Sequence, residues 1–262
     1  MDTSNLAVRM KGYEVIAKGQ LIKRMPVAIR IDGKAFHTFT KGMQKPFDKN
    51  LVRAMQETTL KLCQNIQGCV FGYTQSDEIT LILIDYQTFE TSAWFDNEIQ
   101  KICSIAASMA TLYFNKEFAQ RIKWFAYNPE KMNWDEYVKY CEVYEKAVEK
   151  GAMFDARCFN IPKEEVANLI YWRQLDAMRN SVQMVGQYWF SHKELQGKNC
   201  NNIKEMLVQR NLTPWEEYPV YFQRGSACFK NKLAGIWGID IDMPIIKDDR
   251  DYVNKQILYK DE

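Results

Sequence analysis

Val27-Ala28-Ile29-Arg30-Ile31-Asp32-Gly33 is the stretch on which the fold turns. Val27, Ile29 and Ile31 alternate with Ala28, Arg30 and Asp32, the period of a half-buried strand. Pro26 opens it and Gly33 ends it. Downstream, Asp48 is placed to N-cap a helix running to about Ile66. Its apolar set, Leu51, Val52, Met55, Leu62, Cys63 and Ile66, falls on one face, and Gly68 stops it. Two strands follow, Cys69 to Thr74 and Ile79 to Asp85, joined by the polar turn Gln75-Ser76-Asp77-Glu78. The second is apolar on both faces, as a covered central strand is. A helix from about Asn97 to Phe118 comes next. A strand at about Arg121 to Tyr127 and a helix at about Trp134 to Glu149 read as an insertion, and Ala152 to Ile161 as the next strand. Upstream, Asn5 to Lys18 reads as a helix.

Strand, helix, strand, strand, helix, insertion, strand is an α+β order, the split βαβ or ferredoxin-like arrangement. It makes the first and third strands antiparallel neighbours. Asp32 and the pair Asp77-Glu78 then converge at one edge of the sheet. After Pro162 the character changes. A long helix, about Lys163 to Phe190, and a shorter one, about Asn201 to Arg210, precede short strand-like pieces punctuated by Pro214, Pro219, Gly225, Gly235 and Gly238. The expected organisation is a catalytic region over 1–161, with a helical insertion around 128–150, and a mostly helical region over 162–262 packed on it.

Composition narrows the function. Of 262 residues, 47% are hydrophobic and 26% charged, a soluble globular balance too apolar for a disordered chain. No apolar run approaches the ~18 residues of a membrane span, and Met1 to Lys11 carries no secretory hydrophobic block. The seven cysteines form no CxxC pair, which argues for reduced thiols in a cytoplasm and against a disulfide framework or zinc site. His37 and His192 are the only histidines, leaving little room for His-based chemistry. The net charge is +2, so a polyanion binder of this composition must segregate its charge. Lys41, Lys45, Lys49 and Arg53 form one basic cluster, and Lys193, Lys198 and Lys204 another; solvated surfaces give the same pattern.

Carboxylates converging from separate strands suit Mg²⁺, which keeps some water and takes substrate phosphates as further ligands. Asp32, Asp77 and Glu78 are the carboxylates this topology gathers; the competing reading is a pair of exposed turns. Gly33, lacking Cβ, permits a phosphate or metal to approach the backbone. Lys34, His37, Lys45 and Ser76 stand within reach of a triphosphate, although a loop or strand-edge histidine explains His37 as well. On the long helix Arg173, Asp176, Asn180, Gln183 and Gln187 form a polar stripe beside Trp172. Periodicity alone reads this as an exposed face with an Arg173–Asp176 pair; the alternative is a nucleotide-binding face.

Arg30-Ile31-Asp32-Gly33-Lys34-Ala35-Phe36-His37, Lys45-Pro46-Phe47-Asp48, Gly72-Tyr73-Thr74-Gln75-Ser76-Asp77-Glu78 and Trp172-Arg173-Gln174-Leu175-Asp176 resemble, in order, the motifs of the tRNA-His guanylyltransferase superfamily, the 3′–5′ RNA polymerases. The resemblance runs from about Gly12 to about Ser226. It implies a polymerase palm, with Asp32, Asp77 and the Gly33 carbonyl binding two Mg²⁺ ions and Glu78 supporting them. It implies nucleotide contacts from Lys34, Ala35, Phe36, His37, Lys45 and Ser76, with Arg173, Asp176 and Asn180 lining the nucleotide or activated-end pocket. ATP and GTP are the implied nucleotide substrates and tRNA the implied partner. Lys193, Lys198 and Arg224 are the expected RNA contacts, their charge accumulating in a family-typical homotetramer.

One departure is informative. Enzymes that add the extra G to tRNA-His carry a His-x-Asn-Asn pattern where this chain reads Met178-Arg179-Asn180-Ser181. The stretch resembles the bacterial and archaeal guanylyltransferase-like proteins instead, as do Ser191-His192-Lys193-Glu194-Leu195 and Arg224-Gly225-Ser226. Those relatives repair 5′-truncated tRNAs. The expected activity is therefore template-dependent 3′–5′ addition to tRNA, with single-G addition to tRNA-His as the alternative. A palm-type nucleotide cyclase is a further reading, disfavoured by the absence of a G-G-D-E-F turn. A non-catalytic RNA-binding palm is another, disfavoured by the intact aspartates.

Overall fold

The computed structural model describes residues 4–15, 18–127, 133–231 and 234–258. The decisive stretch is β1 (Val27–Gly33). It lies between β3 (Glu78–Leu83) and β4 (Phe154–Asn160), antiparallel to both. β2 (Cys69–Gln75) pairs with the other side of β3. These four strands give the expected ferredoxin-like order, and β5 (Ser226–Lys230) and β6 (Trp237–Asp240) extend it to a six-stranded sheet, β4-β1-β3-β2-β5-β6. The strand-like pieces of the second half are thus part of the same sheet.

The chain opens with α1 (Asn5–Val15); of the helix expected to Lys18, positions 16 and 17 lie outside the described residues. After β1 come a short α2 (Phe36–Phe39) and α3 (Lys49–Asn65), N-capped by Asp48 through Leu51 N–H at 3.0 Å. α4 spans Ile99–Tyr127, so the strand expected at Arg121 to Tyr127 is helix. Buried Phe118, Ile122 and Phe125 recur at helical spacing there and meet Tyr144 of α5 (Trp134–Lys150). The insertion is α5 alone, and positions 128–132 of the expected 128–150 lie outside the described residues. After β4 a long helix, α6 (Val166–Trp189), leads to α7 (His192–Leu195), α8 (Cys200–Gln209), α9 (Val220–Arg224) and, near the end, α10 (Asp251–Asn254).

Both faces of the sheet are covered. Ile29, Ile31, Ile79 and Leu81 pack on Met55 and Leu62 of α3 and on Ile102 and Phe114 of α4. Ala28, Ile82 and Phe71 face the other way, onto Val166 and Ile170 of α6 and onto Met243, Ile246 and Val253. β1 is therefore buried on both faces, not half-buried, because α6 covers the side that its small Ala28 presents. Each fully buried aliphatic chain contributes about 1.5–3 kcal/mol. The distal half of α6 builds a third cluster, Val182 and Val185 with Ile203, Leu207, Trp215 and Phe222. No helix among the described residues is long and apolar enough to cross a membrane.

Candidate active site

The register of β1 sets Asp32 opposite Glu78 on β3 and opposite Asp155 on β4. Opposed residues project to one face, so three carboxylates share this edge. The Gly33 N–H donates to the Asp77 carbonyl at 3.1 Å, fixing the β2–β3 turn against the end of β1. The expected convergence of Asp32 with Asp77-Glu78 is what the sheet builds. Asp155 was not anticipated; only the strand pairing reveals it.

The two aspartates differ from Glu78 in their partners. Burial raises the Asp32 carboxyl above its ordinary range, with the Glu78 and Asp155 charges adding to it and Arg157 and Arg30 opposing. Burial also raises Asp77, opposed by the Ser76 hydroxyl, which donates to Asp77 Oδ1 at 2.9 Å; the Asp32 charge raises it further. Glu78 is engaged instead: its Oε2 accepts from Arg173 Nη2 at 2.6 Å and Arg30 Nη2 at 3.3 Å. Arg173 continues to Asp176 Oδ2 at 2.9 Å, which Asn180 approaches at 3.5 Å, and Arg179 pairs with Asp176 Oδ1. Arg173, Asp176 and Asn180 thus join the same edge. Arg173 is buried, not on an exposed face, and among the described residues its Nε has no hydrogen-bond partner.

This donor set fits a hard divalent cation. Asp32 and Asp77 repel each other, and among the described residues no hydrogen-bond donor meets the Asp32 carboxylate. The described residues include no tight group of three acidic, His or Cys side chains enclosing a metal by themselves. Two carboxylates with a backbone carbonyl such as that of Gly33 leave positions for water and substrate phosphate, the coordination Mg²⁺ favours.

The missing Cβ of Gly33 also serves packing. A Cβ there would meet the Phe36 ring at 2.2 Å. Phe36 itself is buried in the core under α2, so of the expected nucleotide contacts it presents only backbone. Ala35 precedes α2 in the left-handed region at φ 52°, and Ser76 has φ 53°. Strain of about 1 kcal/mol or more at both turns marks backbone held in place by its surroundings. Lys34, His37 and Ser76 are exposed at or beside these turns, and Lys45 is exposed in the loop ahead of α3. His37 lies in α2, not in a loop, and its Nε2 is 3.1 Å from Thr38 Oγ1. Lys45 precedes a cis Pro46, and Phe47 stacks on Phe222 at 4.4 Å, tying this loop to the third cluster.

The expected RNA contacts differ in exposure. Lys193 and Lys198 are exposed around α7. Arg224 is half-buried: its Nε donates to the Met243 carbonyl at 2.9 Å, and its own carbonyl accepts from Tyr73 at 2.8 Å. Lys204 of the late cluster is paired with Glu216 at 2.8 Å. Sequence reasoning missed the role of Arg30, which holds Glu78 beside Arg173. The period-2 alternation that found Asp32 puts Arg30 on the same face and was a usable signal.

Residues 7–162 match the family model described as tRNAHis guanylyltransferase. The whole fold is similar to a bacterial tRNAHis guanylyltransferase-like protein solved in complex with ATP, at 40% identity and TM-score 0.82, covering 97% of this chain and 99% of that one. A second such bacterial structure, in complex with GTP, matches at 36% identity and TM-score 0.73, over 97% of this chain and 99% of the other. A probable tRNA(His) guanylyltransferase of Dictyostelium discoideum is 26% identical over 81% of this chain and 78% of its own length.

Proposed function

This chain belongs to the tRNAHis guanylyltransferase family of nucleotidyltransferases, and from that premise we propose that it repairs 5′-truncated tRNA by template-dependent 3′–5′ addition of nucleotides. The observation that carries the reading is the β1 register, which brings Asp32, Asp77 and Glu78 to one edge. The choice of repair over single-G addition rests on Met178, which stands in place of the family histidine. Met178 packs into the apolar third cluster, and the Ser181 hydroxyl beside it accepts from Trp215 at 3.0 Å. An apolar, committed surface supports no histidine-specific contact there.

Asp32, Asp77 and the Gly33 carbonyl would hold Mg²⁺, which when bound lowers the pKa of an attacking hydroxyl and neutralises a leaving pyrophosphate. Ser76 orients the Asp77 carboxylate by its 2.9 Å bond. Arg173 and Arg30 hold Glu78 in one rotamer, so that the edge is set before substrate arrives. Lys34, His37 and Lys45 stand ready for the triphosphates of ATP and GTP, with the amides at the start of α2 as neutral donors. Asp176 and Asn180 offer an acceptor and an amide to base or ribose. The exposed Lys193 and Lys198 and the half-buried Arg224 contact tRNA, most effectively with several chains contributing in a homotetramer.

The deciding experiment is incorporation of α-labelled NTPs, with Mg²⁺ and ATP, into a tRNA lacking its first nucleotide and into a full-length tRNA-His lacking the extra G. Template-matched addition to the truncated tRNA is expected. Asp77→Ala or chelation by EDTA should lower it by at least 10³-fold while leaving circular dichroism unchanged, a loss on the order of 4 kcal/mol in transition-state stabilisation. Addition of G to tRNA-His alone would overturn the repair reading.

A further inference from the structure

Trp172 is half exposed, at 52%, beside the ion-pair network of Arg30, Arg173, Glu78 and Asp176. It belongs to none of the three apolar clusters, although Tyr171 next to it packs against the second. Two charged side chains lie against the indole. The guanidinium carbon of Arg173 lies 4.6 Å from the ring centroid and that of Arg30 5.3 Å. Both guanidiniums also place a nitrogen on the same oxygen, Glu78 Oε2, at 2.6 and 3.3 Å. Groups that share one oxygen at those distances cannot stand directly opposite each other across the ring. They approach from the Glu78 side, and about half of the side chain stays open to solvent.

Cation–π contact with two arginines, themselves held by a carboxylate, fixes the ring. A fixed aromatic surface loses little conformational freedom when a second flat group settles on it. Its location follows from its neighbours. Arg30 is two residues before Asp32 on β1, and Arg173 reaches the glutamate that follows Asp77. The exposed indole therefore borders the carboxylate edge. A nucleobase is a flat, weakly hydrated group delivered to such an edge by both the RNA end and the nucleoside triphosphate.

We propose that Trp172 is a stacking platform for a nucleobase at the reacting end, a contact blind to base identity because every base has a π-face. The inference rests on the polymerase reading above and adds to it a positioning residue for the substrate. Polar Asp176 and Asn180 then supply the edge contacts that stacking lacks.

The test compares wild type with Trp172→Ala, Trp172→Phe and Trp172→Leu, using two probes: 2-aminopurine at the RNA 5′ end and 2-aminopurine riboside triphosphate. Stacking quenches the probe on binding whether or not chemistry follows. The expected result is quenching in wild type, largely kept by Trp172→Phe and lost in the Leu and Ala variants. In steady state, Trp172→Ala should raise the KM of the stacked substrate by about tenfold with a smaller change in kcat. Whichever KM moves, for RNA or for NTP, identifies the source of the base. Unchanged KM values and unchanged quenching of both probes in Trp172→Ala would overturn the proposal. So would a Leu variant as good as Phe, since apolar bulk would then suffice. A wild-type enzyme that incorporates nothing sinks the polymerase reading alone, and the quenching comparison still decides the stacking.

Discussion

Gly33 shows how one residue serves both the core and the site. Its amide ties β1 to the Asp77 carbonyl, and its missing side chain makes room for Phe36, whose ring lies 5.3 Å from Phe154 and 5.5 Å from Phe114. Gly33→Ala should cost about 1–3 kcal/mol by overpacking and lower Tm by several degrees. Combined with Phe36→Leu, which shortens the obstructing ring, the two losses should sum to more than the measured double-mutant loss. Strict additivity in thermal unfolding would mean that the ring and the glycine do not meet. At this scale the aspartates were legible, because strand alternation and turn chemistry are local. The burial of Arg173 was not: its stripe looks the same on a solvated helix, and only the contact of α6 with β3 supplies Glu78 as partner.

At the scale of elements, Asp48 holds three segments with one buried carboxylate. It accepts from Leu51 N–H at 3.0 Å, Gln44 N–H at 3.1 Å and the Tyr144 hydroxyl of α5 at 2.5 Å. Burial and the Asp48 charge push Tyr144 well above its ordinary range, so it remains a donor at every physiological pH. Tyr144→Phe, which leaves both amides satisfied, should cost about 1 kcal/mol, and Asp48→Ala about 2–4 kcal/mol, since cap and buried donors are lost together. Denaturant unfolding of the two variants checks the order. α7 gives a pH signature. Ser191 and Glu194 form a reciprocal capping box, and the Ser191 hydroxyl and amide, with Arg210, hold the Glu194 carboxyl down at about 2. A depressed folded pKa contributes stability above the ordinary glutamate value, and that contribution disappears as pH falls toward about 2. Amide exchange in α7 should accelerate, relative to intrinsic rates, across that acid window; a midpoint near the ordinary glutamate value would refute the box in solution. Helix periodicity made α3 and α5 readable, whereas aromatic Trp124 and Phe125 gave the end of α4 a strand-like composition that only its packing on α5 corrects.

For the whole molecule, the sheet and the C-terminal segment act as one body. The four-strand order was legible because connection lengths and handedness leave few alternatives. The joining of β5 to β2 was not, since Thr74↔Ser226 is a pairing between distant segments that no local period encodes. One buried amide bonds the closing segment to α6 twice, in addition to the segment's apolar packing and the Arg224–Met243 bond. Gln174 Nε2 donates to the Pro244 carbonyl at 2.9 Å, and its Oε1 accepts from Ile246 N–H at 2.9 Å. Gln174→Ala orphans both backbone groups and should cost about 2–4 kcal/mol. It should also reduce nucleotide incorporation more than a surface variant of equal stability, because the neighbouring residue is Arg173.

That fastening has a temporal side. On the ribosome Asp32, Asp77 and Glu78 emerge early, Arg173 later, and the backbone that holds its helical turn only with Pro244 and Ile246. A chain released from translation before that point carries the aspartates without the anchored clamp. The clamp residue and the backbone that anchors its turn thereby join the site after the carboxylates they serve, so the order of synthesis is also the order in which the edge is assembled.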